Sequence, residues 1–153
     1  MVDNTTIVEF DSKYLDQVKN VIWTTLQDLG LKKELKPSKR DRDLDFIGEI
    51  YKDRGRFWVA LENDKVIGTI AIENRAGDTA KLRRMFVLSE YQGKGIAQKL
   101  FKTAVQFARK KGYKEIELST AHFMKRAHKF YEKQGFKKIG ADEKEYFYKL
   151  TFI

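Results

Sequence analysis

The chain has 153 residues, 42% apolar and 13% aromatic, which suits one domain with a real core and excludes a disordered chain. A formal net charge of +9 favours anionic partners: a phosphorylated small molecule, nucleic acid or phospholipid headgroups. Cysteine is absent, which excludes disulfides, thiolate metal sites and a cysteine nucleophile; no apolar run is long enough to span a membrane, and Met1–Thr5 lacks the basic-then-apolar order of a signal peptide.

Thr5–Phe10 alternates and is rich in β-branched residues, as a first strand would be. Asp11 or Ser12 can cap a helix whose apolar face is Leu15, Val18, Ile22, Leu26 and Leu29, stopping near Gly30. Lys32–Arg42 is highly charged, carries the only proline, Pro37, and reads as a mobile connector. A shorter helix around Leu44, Ile47 and Tyr51 ends at Gly55. Arg56–Glu62 and Lys65–Asn74 form a hairpin about Asn63-Asp64, with Val66, Gly68, Ile70 and Ile72 on one face of the second strand. Gly77-Asp78 then turns the chain into a third strand, Thr79–Leu88.

Ile96, Leu100, Phe101, Ala104, Phe107 and Ala108 recur at helical spacing, and Gly112 stops that helix. Glu115–Thr120 reads as a buried-type strand, and Lys125–Gln134 as a helix ended by Gly135. Phe136–Gly140 and Tyr146–Ile153 are the last strands. The order β-α-α-β-β-β-α-β-α-β-β is a mixed α/β layout, with no internal repeat and no second domain, so residues 1–153 read as one unit. The positive charge is spread over Lys99–Lys114 and Lys125–Lys138, which fits steering of a small anionic ligand better than a nucleic-acid tail.

The chemistry concentrates between Lys81 and Gly112. A strand enters the turn Gln92-Gly93-Lys94-Gly95 and leaves as a helix beginning Ile96-Ala97. The first amides of such a helix have no partners and carry partial positive charge, so the turn can hold a phosphate. Gly93 and Gly95 let the backbone approach a ligand and take positive φ. A P-loop is excluded, because Leu88 stands at its first glycine and Gly95 follows Lys94. A dinucleotide fingerprint fails at Gln98, where its third glycine would stand.

Gln92-x-x-Gly95-x-Ala97, preceded by Leu82-x-Arg84-Met85-x-Val87, resembles the acetyl-CoA motif of the GNAT N-acetyltransferase superfamily. The resemblance continues at Ala127-x-x-Phe130-Tyr131-Glu132-Lys133-Gln134-Gly135-Phe136. It implies a single-domain mixed sheet with a splayed strand pair and flanking helices, bulged near Arg83, Arg84 and Met85. It also implies acetyl transfer from acetyl-CoA, a cosubstrate, to a primary amine by direct attack. No covalent enzyme intermediate is needed, in agreement with the missing cysteine.

On that resemblance, the backbone of Met85, Phe86 and Val87 pairs with the amide-bearing arm of the cofactor. Gln92, Gly93, Lys94, Gly95, Ile96 and Ala97 cradle its pyrophosphate, and Phe130 also belongs to the cofactor side. Tyr131 is the general acid, since a phenol of pKa about 10 is protonated at neutral pH; the alternative is a core tyrosine packed beside Phe130. Glu73 and His122 are candidate general bases, His128 shares a helix face with Tyr131, and a water chain can serve instead. The family often has Asn where this chain has Met124, which cannot make the same hydrogen bond.

Leu15–Arg54 and the loop before Tyr146 are expected to set the acceptor, a small-molecule or peptide amine. A cytoplasmic location is expected, no membrane partner is, and a homodimer stays open. Two alternatives compete: an acyl-CoA sensor without turnover, and, ranked last, a basic nucleic-acid-binding domain.

Overall fold

The computed structural model describes residues 4–30 and 39–152. It contains β1 (Thr5–Glu9), α1 (Leu15–Asp28), α2 (Ile47–Ile50), β2 (Arg56–Glu62), β3 (Lys65–Glu73), β4 (Thr79–Val87), α3 (Ile96–Lys110), β5 (Glu115–Ala121), α4 (Lys125–Lys133), β6 (Lys137–Ala141) and β7 (Glu145–Thr151). This is the α/β order expected from the sequence. Most of the connector expected over Lys32–Arg42 lies outside the described residues. From Lys39 to Asp45 the chain winds as a 3-10 helix, which takes Leu44 out of the second helix and leaves α2 a single turn.

One seven-stranded sheet runs β1-β2-β3-β4-β5-β7-β6. The first four strands are an antiparallel meander. Asn63 and Asp64, at φ 48° and 68°, both take the left-handed conformation that a tight hairpin turn requires. Gly68, Ile70 and Ile72 face α3, and a Cβ on Gly68 would stand 3.0 Å from Leu100 Cδ1. On α3 the residues Ile96, Leu100, Phe101, Ala104 and Ala108 are buried against this face. Trp58 meets Phe107 of α3 edge-on, while its neighbour Phe57 meets Tyr51 on the opposite face.

Two sequence expectations need correction. A register shift between Ala60 and Leu61 takes Val66 off the row of Gly68, Ile70 and Ile72. And β5 is not buried throughout: Ile116, Leu118 and Thr120 are buried, but the other face carries Glu115 and Glu117, both paired with Lys149 of β7.

The feature that shapes the molecule is the end of the β4–β5 ladder. These parallel strands pair only at Thr79–Glu115, Ala80–Ile116 and Lys81–Glu117, and then part. On its other edge β4 carries one extra residue against β3, because Ala71 pairs with Arg83 and Thr69 with Phe86. Arg84 lies in this bulge at φ 58°, a conformation that is unfavourable by about 1 kcal/mol or more for a side chain other than glycine.

Bonds from distant elements hold it there. Thr69 Oγ1 donates to the Arg84 carbonyl at 2.6 Å. The Arg84 guanidinium grips Asp43 by two bonds, Nε to Oδ2 at 3.0 Å and Nη2 to Oδ1. Asp43 is buried and also accepts from the Tyr51 hydroxyl at 2.5 Å. Burial pushes the Asp43 carboxyl up, but the bonds from Arg84 and Tyr51 and the charges of Arg84 and Arg83 outweigh it and hold the carboxyl below its ordinary value.

A carboxyl held low in the folded state adds stability that is complete above its unfolded value, near 3.9, and fades as pH falls through the lower folded value. Asp43→Asn is therefore expected to lower stability at pH 7 by about 3 kcal/mol, through loss of a buried charge pair. The loss should shrink as pH falls below about 3.9, measured by urea unfolding at pH 7 and at successively lower pH values.

Candidate functional site

Beyond the Lys81–Glu117 rung the parted strands open into a cleft of about 590 Å³. One end of it is the turn before α3. Gly93 and Gly95 have φ 78° and 84°, and the first bond of the helix runs from Lys99 N to Gly95 O at 3.1 Å. Among the described residues, no protein acceptor takes the amides of Gly93, Lys94, Gly95, Ile96, Ala97 or Gln98. These donors stand at the positive end of a 15-residue helix, an arrangement able to hold an anion. From α4, Arg126 Nη2 reaches to 3.9 Å from where a Cβ on Gly93 would stand. The guanidinium therefore hangs over the turn.

The far wall comes from α4. Tyr131 is buried, with its ring edge-on to Phe130 and Phe136, and its hydroxyl donates to Met85 Sδ at 3.7 Å. Core packing and a place in the cleft thus hold together for this side chain. Burial pushes its phenol well above the ordinary value of 10, so it stays protonated. Met124, which precedes α4, lines the cleft and makes no capping bond with its side chain.

Met85, Phe86, Val87, Gln92, Gly93, Gly95, Ile96, Ala97, Phe130 and Tyr131 all line the cleft. Lys94 contributes its amide to the turn, but its side chain lies outside, with Nζ 5.4 Å from the centre of the Tyr91 ring. The side chain of Gln92 donates to the Val87 carbonyl at 3.1 Å, which ties the turn to the end of β4.

Among the described residues, neither Glu73 nor His122 contacts Tyr131. Glu73 pairs with Arg83 at 3.2 Å and with Arg75. His122 is stacked on Tyr146 at 4.4 Å, with Nε2 3.2 Å from the Glu145 carbonyl. His128 is buried on α4, with Nε2 2.8 Å from the Ala121 carbonyl. Neither Glu73 nor either histidine lines the cleft.

Sequence reasoning missed Arg126, which lines the cleft, as do Thr25 and Leu29 at the end of α1, within the Leu15–Arg54 stretch expected to set the acceptor. The signal for Arg126 was its place beside the start of α4. Among the described residues there is no group of three His, Cys, Asp or Glu side chains that would hold a metal ion. No helix among them is long and apolar enough to cross a membrane.

Comparison with known proteins agrees with this geometry. A zebrafish (Danio rerio) N-acetylaspartate synthetase is 41% identical over 88 residues, 57% of this chain and 31% of that protein. Human N-acetyltransferase 8B is 34% identical over 123 residues, 77% of this chain and 51% of that protein. The chain thus spans about a third of the length of the first of these relatives and about half of the second. An acetyltransferase from Streptococcus agalactiae has the same fold at a TM-score of 0.89 and 30% identity, covering 99% of this chain and 100% of that one. PaiA N-acetyltransferase from Thermoplasma acidophilum, solved in complex with coenzyme A, shares the fold at a TM-score of 0.80 and 18% identity, covering 98% and 100% of the two chains. The sequence profile of the acetyltransferase (GNAT) family matches residues 15–136, and the chain belongs to that family.

Proposed function

We propose that this protein transfers an acetyl group from acetyl-CoA to a primary amine by direct attack. The observation that carries the reading is the row of partnerless amides from Gly93 to Gln98 at one end of a cleft that has the Tyr131 hydroxyl in its wall. The donor set fits the cosubstrate: backbone amides and Arg126 for a diphosphate, and the edge of β4 at Met85–Val87 for an amide-bearing arm. When bound, acetyl-CoA supplies the acetyl group as an activated thioester.

The residues of this chain then have three tasks. The turn and Arg126 hold the anionic end and fix its depth. The apolar wall of Met85, Phe86 and Phe130 excludes water from the carbon under attack. Tyr131 donates its proton to the departing sulfur as the N–C bond forms and the S–C bond breaks. The amine loses its own proton to water. Water is the first choice because Glu73 is held by Arg83 and Arg75, and His122 by Tyr146 and the Glu145 carbonyl.

Free-thiol release from acetyl-CoA with a panel of primary amines tests the reading. Tyr131→Phe should lower kcat about a hundredfold or more while the Kd for CoA stays within about twofold. Unchanged turnover in that variant would remove Tyr131 from the mechanism. Because the acid must be protonated and burial raises its pKa, kcat in the wild type should show no fall from loss of this proton up to about pH 10. Arg126→Ala should weaken CoA binding about tenfold by calorimetry, as expected for one charge-assisted contact to phosphate.

A further inference from the structure

The face of the sheet opposite α3 carries charges that the mechanism above does not use. Glu73 of β3, Lys81 of β4, Glu117 of β5 and Lys149 of β7 lie in register across four neighbouring strands. Lys81 stands between two acids, yet both are turned to other cations. Glu73 is taken by Arg83 and Arg75, and Glu117 by Lys149 at 3.4 Å. Among the described residues the Lys81 ammonium has no hydrogen bond and no carboxylate within ion-pair reach, although the side chain is half-buried.

Its position gives this a meaning. Lys81 forms the last rung before β4 and β5 part, so it marks the apex of the opening. The anion-binding turn and α4 lie on the α3 side. Leu82 pairs with Ile72 on that side, so Lys81 and Arg83 point to the other. An acetyl group presented through the gap would meet its acceptor on the face that carries Lys81 and Arg83.

We infer that Lys81, with Arg83 beside it, anchors a carboxylate on the amine acceptor, so that small amines bearing a carboxyl group are preferred over their neutral counterparts. This rests on the transferase reading above. A half-buried ammonium without a partner is unfavourable in the free protein and is relieved when an anion arrives. Burial, and the neighbouring charges of Arg75 and Arg83, already hold its pKa below the ordinary lysine value, against the opposite pull of Glu145 and Glu73. A single negative charge suits the place better than a phosphate monoester, because Glu73 and Glu117 flank it.

The test compares β-alanine with β-alaninamide as acceptors, by thiol release. The wild type should favour the acid at least about tenfold in kcat/KM, the size of one charge-assisted hydrogen bond. In Lys81→Met the ratio should fall to within about threefold, and in Lys81→Arg the preference should persist. Equal rates in the wild type, or a preference that survives in Lys81→Met, would overturn the inference while leaving acetyl transfer intact. If neither amine is acetylated, calorimetry on the CoA-loaded protein reads the same contrast: the acid must bind more tightly than the amide, and only while Lys81 is present. Thermal unfolding of Lys81→Met should match or exceed that of the wild type, since an unpaired cation is removed. A lower melting temperature would mark Lys81 as structural and defeat the proposal, and Lys81→Gln gives the same comparison with a neutral polar side chain.

Discussion

The molecule depends on keeping two neighbouring strands apart. Backbone donors and acceptors left unpaired in a sheet are normally satisfied by the next strand. Here β4 and β5 stop pairing after Lys81–Glu117, so something must prevent them from closing. The bulge at Arg84 supplies it. One extra residue bends β4 and raises its local twist, which carries its far half away from β5. The bulge needs support because Arg84 is not a glycine. Asp43, from the segment before β2, provides that support through a buried two-bond contact. The opening is therefore a property of the folded core and not of a surface loop.

Charge is arranged around this opening in a consistent way. On the α3 side, the free amides and Arg126 offer positive potential to an anion, and the chain as a whole carries +9. Between the two faces lies an apolar stretch, Met85, Phe86 and Phe130, where a phenol stays neutral by burial. On the opposite face Glu73 pairs with Arg83 and Glu117 with Lys149, while Lys81 makes no ion pair among the described residues. The sequence of environments is anion site, dry passage, polar floor. On the proposed reading, each would suit a different part of acetyl-CoA and its acceptor.

Local chemistry was legible in the sequence, and long-range pairing was not. The turn at Gln92–Ala97, the helix from Ile96 and the hairpin at Asn63-Asp64 announce themselves through glycines, helical spacing and turn residues. Tyr131 stands out in the sequence because its neighbours form a block. The bulge was placed by resemblance, but its partner, Asp43, stands 41 residues away from Arg84. Nothing local links the two. Glu73 and His122 looked available because sequence shows which side chains titrate, and not which are occupied. The alternation of β5 was hidden by short polar residues that the burial expectation overrode.

Tyr131 shows why core and site are hard to separate in such a chain. Its ring fills the space between Phe130 and Phe136, and its hydroxyl faces Met85 at the edge of the cleft. The same burial that keeps it protonated also fixes its position to within the tolerance of a packed core. A phenol on a loop would titrate near 10 and sample several rotamers. By drawing one side chain from the core to face the opening, the fold obtains orientation and protonation state from a single physical cause, the exclusion of water. Removal of the hydroxyl alone leaves the packing in place, so the role proposed for Tyr131 can be tested separately from folding.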